Sequence, residues 1–258
     1  MAQFTMKIAG HAALVSPLFD STKDYCRQYW TEDAPEFSIT VTREDLEFEQ
    51  DFLLREALEE GIRVRKFTDP FLDRAAIQRQ FAEHLFDRDT LLLHGSTVAV
   101  DGKAYLFTAK CGTGKSTHTR LWRQVFGDRA VMVNDDKPFL RITEAGVLAC
   151  GAPWSGKHGL DSNITVPLQG ICVLERGPEN RIRRAAPEEV RDMLQKQGYC
   201  PLSPEKHTRY LSLIDKLMQT VPLWKMECTK EEAAARIAHA AMSQETSHPD
   251  EAGMMPSV

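Results

Sequence analysis

The stretch Ala109-Lys110-Cys111-Gly112-Thr113-Gly114-Lys115-Ser116-Thr117 decides how the whole chain is interpreted. Its two glycines allow the backbone to turn successive N–H groups toward an anion, and a helix that starts directly after them adds its positive N-terminal end. A lysine there would bridge the β- and γ-phosphates, and the next hydroxyl would ligate Mg²⁺. We therefore expect ATP and Mg²⁺ as cofactors. The nucleotide-binding residues would be Gly112, Thr113, Gly114, Lys115, Ser116 and Thr117.

One position departs from the full phosphate-loop pattern, because Ala109 stands where the pattern has glycine. The alternative is a chance glycine-rich turn before a helix. Ordinary residue usage produces G-x-G-K-[ST] in roughly one chain in a hundred of this length. Since alanine is also small, the sequence favours phosphate binding.

The segments on either side of this loop have the order of a nucleotide-binding unit. Two apolar runs between Leu91 and Ala109 flank Asp101-Gly102, a pair that suits a type I′ turn, so a β-hairpin is predicted. A helix-compatible stretch runs from Ser116 to Phe126, and the short apolar run A-V-M-V follows it. Strand, loop, helix and strand therefore succeed one another.

Two acids, Asp135 and Asp136, follow this last strand, where they would emerge beside the phosphate loop. One would ligate Mg²⁺ and the other would accept the proton of an attacking hydroxyl. The alternative is a polar turn, which Asn134-Asp135-Asp136 also suits. His94, upstream of the hairpin, is by itself more typical of a hydrogen-bonded structural residue.

A second glycine-rich loop runs from Gly151 to Asn163 and carries Lys157 between two glycines. Its backbone could approach an anion closely, and the ammonium group could offset phosphate charge. We predict that Lys157 and His94 face the phosphate loop across one cleft. The alternative for this segment is an ordinary surface loop.

The remaining sequence predicts three regions. Residues 1–69 form an N-terminal β-rich lobe with alternating strands at 7–16 and 37–42. Residues 70–243 form the catalytic domain, which starts with a packing helix, contains a mixed sheet and ends in C-terminal helices at 187–197, at 204–220 and from a Thr229/Glu232 capping box onward. The tail, 244–258, lacks periodicity and is predicted to be disordered.

Composition excludes several classes of protein. The 37 acidic residues outnumber the 32 lysines and arginines, for a net charge of −5, so no global positive field favours nucleic acid or an anionic membrane. The six scattered cysteines are typical of reduced thiols. Neither a signal segment nor an apolar span of about 18 residues is visible. A cytoplasmic location is the resulting expectation.

The combination of H-G-S-T-V-A-V (94–100), the phosphate loop and V-N-D-D (133–136) resembles the catalytic domain of HPr kinase/phosphorylase. The resemblance implies an α/β fold whose mixed β-sheet P-loop domain is of the HPr kinase and phosphoenolpyruvate carboxykinase type. It also implies that His94, Lys115, Asp135 and Asp136 are active-site residues. Asp135 would hold the metal with Ser116, Asp136 would activate the acceptor hydroxyl, and His94 would tune that acid; the opposite division between the two acids stays open.

The resemblance does not extend to the N-terminal part or to a segment that would dock HPr. The expected reaction is therefore transfer of the γ-phosphoryl group of ATP to a hydroxyl-bearing peptide, protein or small molecule other than HPr. A carboxykinase is a weaker alternative, because the chain is short for that family's substrate-binding domain. A non-catalytic ATP-binding module is a further alternative, and the sequence leaves the oligomeric state open.

Overall fold

The computed structural model describes residues 3–59, 61 and 66–244. These residues form strands and helices that alternate irregularly along the chain. The strands are β1 (Phe4–Ile8), β2 (His11–Ser16), β3 (Phe37–Thr40), β4 (Thr90–Leu92), β5 (Ser96–Val100), β6 (Lys103–Thr108), β7 (Ala130–Asn134), β8 (Phe139–Thr143), β9 (Gly146–Cys150), β10 (Thr165–Arg176), β11 (Arg181–Arg184) and β12 (Leu223–Cys228). The helices are α1 (Asp20–Tyr25), α2 (Arg43–Glu59), α3 (Asp69–Phe86), α4 (Lys115–Phe126), α5 (Pro187–Gln197), α6 (His207–Thr220) and α7 (Glu232–Met242).

The main sheet is mixed, as the sequence predicts. Strand β10 lies at its centre, parallel to β6 and β12 and antiparallel to β9. From β6 the sheet continues through β5 to β7, and from β9 it continues through β8 to β4. Because β6 is central, the loop that follows it emerges in the middle of the sheet and not at an exposed edge.

Helices cover both faces of this sheet. Helices α4 and α7 pack on one face through Trp122 and Ala238, which are fully buried. Helices α5 and α6 pack on the other face through Leu194 and Leu217. The small alanine surface of α7 allows close approach to α4, and His239 of α7 contacts the Trp122 and Phe126 rings of α4.

The N-terminal region forms a three-stranded sheet in which β1 and β3 both pair with β2. The run predicted as one strand from Lys7 to Ser16 is instead a hairpin that turns at Ala9 and Gly10, where φ is positive at both residues. The buried side chains of this region form one hydrophobic cluster together with Phe139 of β8 and with Trp154 of the second glycine-rich loop. The N-terminal sheet therefore packs directly against the region that carries the second glycine-rich loop.

The hairpin predicted at Asp101-Gly102 is confirmed, with φ values of 51° and 78° that suit a type I′ turn. It joins β5 to β6 only, because the preceding leucines belong to β4, which pairs with β8. The predicted capping box is wrong: α7 begins at Glu232, and the Thr229 hydroxyl instead accepts a hydrogen bond from the Glu231 N–H.

Among the described residues, no helix is both long enough and apolar enough to cross a bilayer. The tail predicted to be disordered lies, from residue 245 onward, outside the described residues. The described part of the chain has a mixed α/β architecture that is compatible with a nucleotide-binding fold.

Candidate functional site

The loop predicted to bind phosphate, residues 109–117 and called the phosphate loop below, runs from the end of β6 into the first residues of α4. Gly112 and Gly114 have φ values of 73° and 121°, which residues with a side chain rarely adopt. Ala109, which stands where the phosphate-loop pattern has glycine, is completely buried between the sheet and α4. Its small side chain is therefore accommodated within the hydrophobic core. The Lys115 Nζ donates a hydrogen bond to the Ala109 carbonyl over 3.1 Å, so the side chain folds back over its own loop.

Arg176, at the end of β10, holds this loop from the opposite side. Its guanidinium donates to the carbonyl oxygens of Gly112 and Thr113, the latter over 3.1 Å. Since carbonyls engaged in this way point toward Arg176, the contact helps to set the orientation of the neighbouring peptide groups. The sequence gives no local signal for this residue, because Arg176 is an exposed arginine 63 positions away from its partner.

Asp135 is linked to the phosphate-loop helix through two hydroxyls. The Ser96 hydroxyl donates to Asp135 Oδ1 over 2.6 Å and lies 2.7 Å from the Thr119 hydroxyl. A carboxylate oxygen only accepts, so Ser96 donates to Asp135 and Thr119 donates to Ser96. All three side chains are buried, which fixes Asp135 relative to the first turns of α4, where Ser116 lies.

Asp136 lies against His94, with 3.4 Å between Asp136 Oδ1 and His94 Nε2. Burial lowers the pKa of His94 to about 3, with further lowering by the charges of Lys115 and Lys137. The imidazole is therefore neutral, and the contact is not an ion pair. Burial also raises the pKa of Asp136, although Lys137 and Lys115 act in the opposite direction.

Backbone contacts bring His94 to this position. The Thr108 hydroxyl donates to the His94 carbonyl over 2.9 Å, and the Gly95 N–H donates to the Asp136 carbonyl over 2.8 Å. A side chain at Gly95 would crowd Leu106, at 3.1 Å. The segment between β4 and β5 thus joins the end of β6 to the acid pair, and His94 lies in this connection and not within a strand.

Asn134 organises the acids and the second glycine-rich loop together. Its Oδ1 accepts hydrogen bonds from the N–H groups of Asp136 and Lys137, over 2.8 and 2.7 Å. Its Nδ2 donates to the carbonyls of Ala152 and Trp154, over 2.7 and 3.2 Å. The side chain is fully buried. Asn134 therefore holds both segments in one arrangement, although the sequence indicated only that it suits a turn.

The second glycine-rich loop lies beside Asp136. A Cβ atom at Gly156 would come within 3.2 Å of the Asp136 side chain, so glycine allows the close approach. Lys157 lines a cleft with Asp136, whereas residues 110–113 of the phosphate loop line a different cleft with Arg176. The structure thus brings Lys157 to the acid and not into one cavity with those loop residues.

Contacts with the N-terminal region anchor this loop. The Tyr29 hydroxyl and the Ser155 hydroxyl both donate to the Asp161 carboxylate. The Asn163 side chain donates to the Gln28 carbonyl over 2.8 Å. The N-terminal region therefore helps to position the loop that borders Asp136, a connection with no signal in the local sequence.

The donor set at this site suits Mg²⁺ only in company with a nucleotide. Within the described ranges, no group of three or more His, Cys, Asp or Glu side chains could hold a metal ion. Mg²⁺ is commonly bound by one or two carboxylates together with phosphate oxygens and water. The buried Asp135 carboxylate and the Ser116 hydroxyl fit that pattern. These two side chains are too few to bind Mg²⁺ without phosphate oxygens.

We predict that Asn134→Ala lowers the free energy of unfolding by about 2–4 kcal/mol, because it leaves buried N–H and carbonyl groups without partners. Urea unfolding of the purified variant measures this. The matched control is Asn163→Ala, which removes one hydrogen bond from an exposed asparagine in the same loop. Equal unfolding free energies for the two variants would contradict the organising role of Asn134.

Comparisons with known proteins add little to this description. No protein-family model and no curated protein matches the sequence. Among solved structures, the chain is similar to the Hpr(Ser) kinase/phosphatase from Coxiella burnetii, with 11% sequence identity, coverage of 59% of this chain and 99% of that chain, and a TM-score of 0.35. A similarity of this size carries no inference about activity, so function has to be inferred from the site itself.

Proposed function

We propose that this protein is an Mg²⁺-dependent kinase of the HPr kinase type, which transfers the γ-phosphoryl group of ATP to a hydroxyl group of a peptide, protein or small molecule. One observation carries the proposal: a partly buried carboxylate, Asp136, lies against the neutral His94 and is close enough to Lys115 to be influenced by its charge. A phosphate-binding loop beside such a base is the arrangement that phosphoryl transfer to a hydroxyl requires.

The residues divide into binding and chemical roles. The loop from Gly112 to Thr117 and the Lys115 ammonium would hold the β- and γ-phosphates, and Arg176 would keep the loop in shape. Ser116 and Asp135 would hold Mg²⁺, which neutralises phosphate charge when bound. Lys157 lies beside Asp136 and would offset further negative charge.

Asp136 would act as the general base. It would accept the proton of the acceptor hydroxyl while the acceptor oxygen forms a bond to the γ-phosphorus. The bond between that phosphorus and the bridging oxygen breaks, and ADP leaves with the electron pair. Because burial raises the pKa of Asp136, its carboxylate is a stronger base than an exposed aspartate.

His94 would position Asp136 as a neutral hydrogen-bonding group. We predict that His94→Leu lowers the transfer rate by about 10- to 100-fold, because a carboxylate without this neighbour loses its orientation. His94→Gln, which keeps a neutral polar group, should retain most of the rate. Steady-state kinetics with ATP as the varied substrate measure both variants, and the KM for ATP should stay unchanged. If Leu and Gln have equal effects, His94 acts only through packing.

The proposed function is tested by incubating the protein with γ-labelled ATP, Mg²⁺ and candidate hydroxyl acceptors, followed by mass analysis of the acceptors. Label on a hydroxyl that depends on Asp136 supports a kinase. Binding of ATP without label on any acceptor supports a non-catalytic ATP-binding module instead. Formation of phosphoenolpyruvate from oxaloacetate would support a carboxykinase.

A further inference from the structure

A cleft of about 460 Å³ opens beside Asp136, between the second glycine-rich loop and helix α3. One wall consists of Asp136, Lys137 and the loop residues Trp154 and Lys157. The other wall comes from the N-terminal half of the chain, chiefly Arg74 and Gln78 of α3. The volume suits a small molecule or the end of a peptide.

The charge in this cleft is predominantly positive. Arg74, Lys137 and Lys157 line it, against the single carboxylate of Asp136. Among the described residues, none of these three cations forms an ion pair with a carboxylate. Three cations against one carboxylate leave an excess of positive charge, which favours an anionic ligand.

Two residues of the cleft wall, Gln78 and Trp154, carry side-chain N–H groups that are buried without a partner. Gln78 Nε2 and Trp154 Nε1 are both inaccessible to solvent, and neither has an acceptor within the described structure. A buried N–H group without an acceptor is energetically unfavourable, so such a group calls for an explanation. Both are donors, and the Gln78 amide can present its N–H to an acceptor oxygen in the cleft after a rotation of its side chain.

The mouth of the cleft is aromatic. Tyr25 and Phe71 are 39% and 40% exposed, which is high for such large side chains. The Arg74 guanidinium lies over the Tyr25 ring, 4.5 Å from its centroid. The ring thus supports Arg74 in place, and the aromatic surface favours a ligand with an apolar group next to its anionic group.

We propose that this cleft binds the phosphate acceptor and that the acceptor is a hydroxyl-bearing carboxylate with an adjacent apolar group. Arg74 and Gln78 receive the carboxylate, Tyr25 and Phe71 contact the apolar group, and the hydroxyl lies toward Asp136. This inference rests on the proposed kinase function. Arg74 and Gln78 distinguish it from simple phosphate binding, because α3 lies outside the strand, loop and helix unit that holds a nucleotide.

The test uses the full chain saturated with a non-hydrolysable ATP analogue and Mg²⁺, and calorimetry with three probes. 3-Phenyllactate has the hydroxyl, the carboxylate and an aromatic ring, and 3-phenyllactamide lacks only the charge. The pentapeptide Gly-Gly-Ala-Phe-Ser with a free carboxyl terminus presents the same groups at a chain end. We expect the acid to bind at least about tenfold more tightly than the amide, since hydrogen bonds to charged groups are strong.

Two variants test whether the preference for the acid over the amide arises in this cleft. Arg74→Met keeps an unbranched apolar stem, removes the guanidinium group and should abolish the preference for the acid. The same change at Arg236, an exposed arginine on α7, should leave the preference unchanged. Binding of phenyllactate and not of the pentapeptide identifies a free hydroxy acid as the source of the carboxylate. Tighter binding of the pentapeptide identifies a peptide terminus.

Several outcomes would overturn the inference. If 3-phenyllactate and 3-phenyllactamide bind with equal affinity, the cleft does not recognise a carboxylate. The same conclusion follows if the preference for the acid persists in the Arg74→Met variant. Binding of the ATP analogue by the same protein is measured first and separately. Intact nucleotide binding with no acid preference therefore rejects the acceptor class alone, whereas absent nucleotide binding rejects the proposed function.

Discussion

Lys115→Ala is expected to reduce kcat/KM for ATP by about 10²–10³-fold. The side chain folds back over the phosphate loop, where its ammonium group donates to the Ala109 carbonyl. A phosphate group would compete for the same ammonium group, so removal of the ammonium withdraws charge from the β- and γ-phosphates. Calorimetry with Mg-ATP and steady-state kinetics measure the binding and catalytic parts of the loss.

The matched control is Lys110→Ala, because Lys110 is an exposed lysine of the same loop and its removal changes the net charge equally. Its variant should bind Mg-ATP nearly as well as the wild type. The melting temperature of both variants should stay close to that of the wild type, since neither side chain belongs to the hydrophobic core. Unchanged ATP affinity in Lys115→Ala would reject the loop as a nucleotide site.

Asp136→Asn is expected to lower phosphoryl transfer by about 10²–10⁴-fold while Mg-ATP binding persists. Asparagine keeps the shape of the side chain, and the backbone N–H at position 136 can still donate to Asn134. The side-chain amide, however, cannot take up the proton of the hydroxyl that is phosphorylated. Single-turnover measurements with labelled ATP separate this chemical defect from nucleotide binding.

Asp135→Asn provides the comparison, since the same change is made at the neighbouring position. It weakens the proposed metal site, so the variant should need a higher Mg²⁺ concentration for half-maximal activity. Ser96 can still donate to the remaining carbonyl oxygen of the side chain. If both variants transfer phosphate at the wild-type rate, the two acids form only a turn. If the two effects are exchanged, Asp135 is the base and Asp136 the metal ligand.

Short-range features of this protein could be predicted from its sequence. The hairpin turn at Asp101-Gly102 and the phosphate loop depend on the backbone preferences of a few successive residues, so their signals are local. Helix α5 begins and ends where its pattern predicts, at Pro187 and Gln197. The split of the first predicted strand at Ala9-Gly10 was missed, because alternation continues through the tight turn and conceals it.

The description of the candidate site needed both the sequence and the tertiary structure. The sequence predicted Lys115, the two acids and, through a family resemblance, His94 as site residues, but it gave no indication of the side chains that hold them in place. Ser96 reaches Asp135 across 39 positions, and Arg176 reaches the phosphate loop across more than 60. Such contacts leave no local pattern, since they depend on which strands become neighbours in the sheet.

The sequence by itself determined that a glycine-rich loop with a lysine precedes a helix and that two acids follow the next strand, because those features depend on residues adjacent along the chain. Only the tertiary structure decided that Asn134 joins the acids to the second glycine-rich loop, and that α3 closes a positively charged cleft beside Asp136. The physical reason is that burial and pKa shifts arise from packing between distant segments. Periodicity within one segment predicts which face is buried, but it does not specify which other segment covers that face.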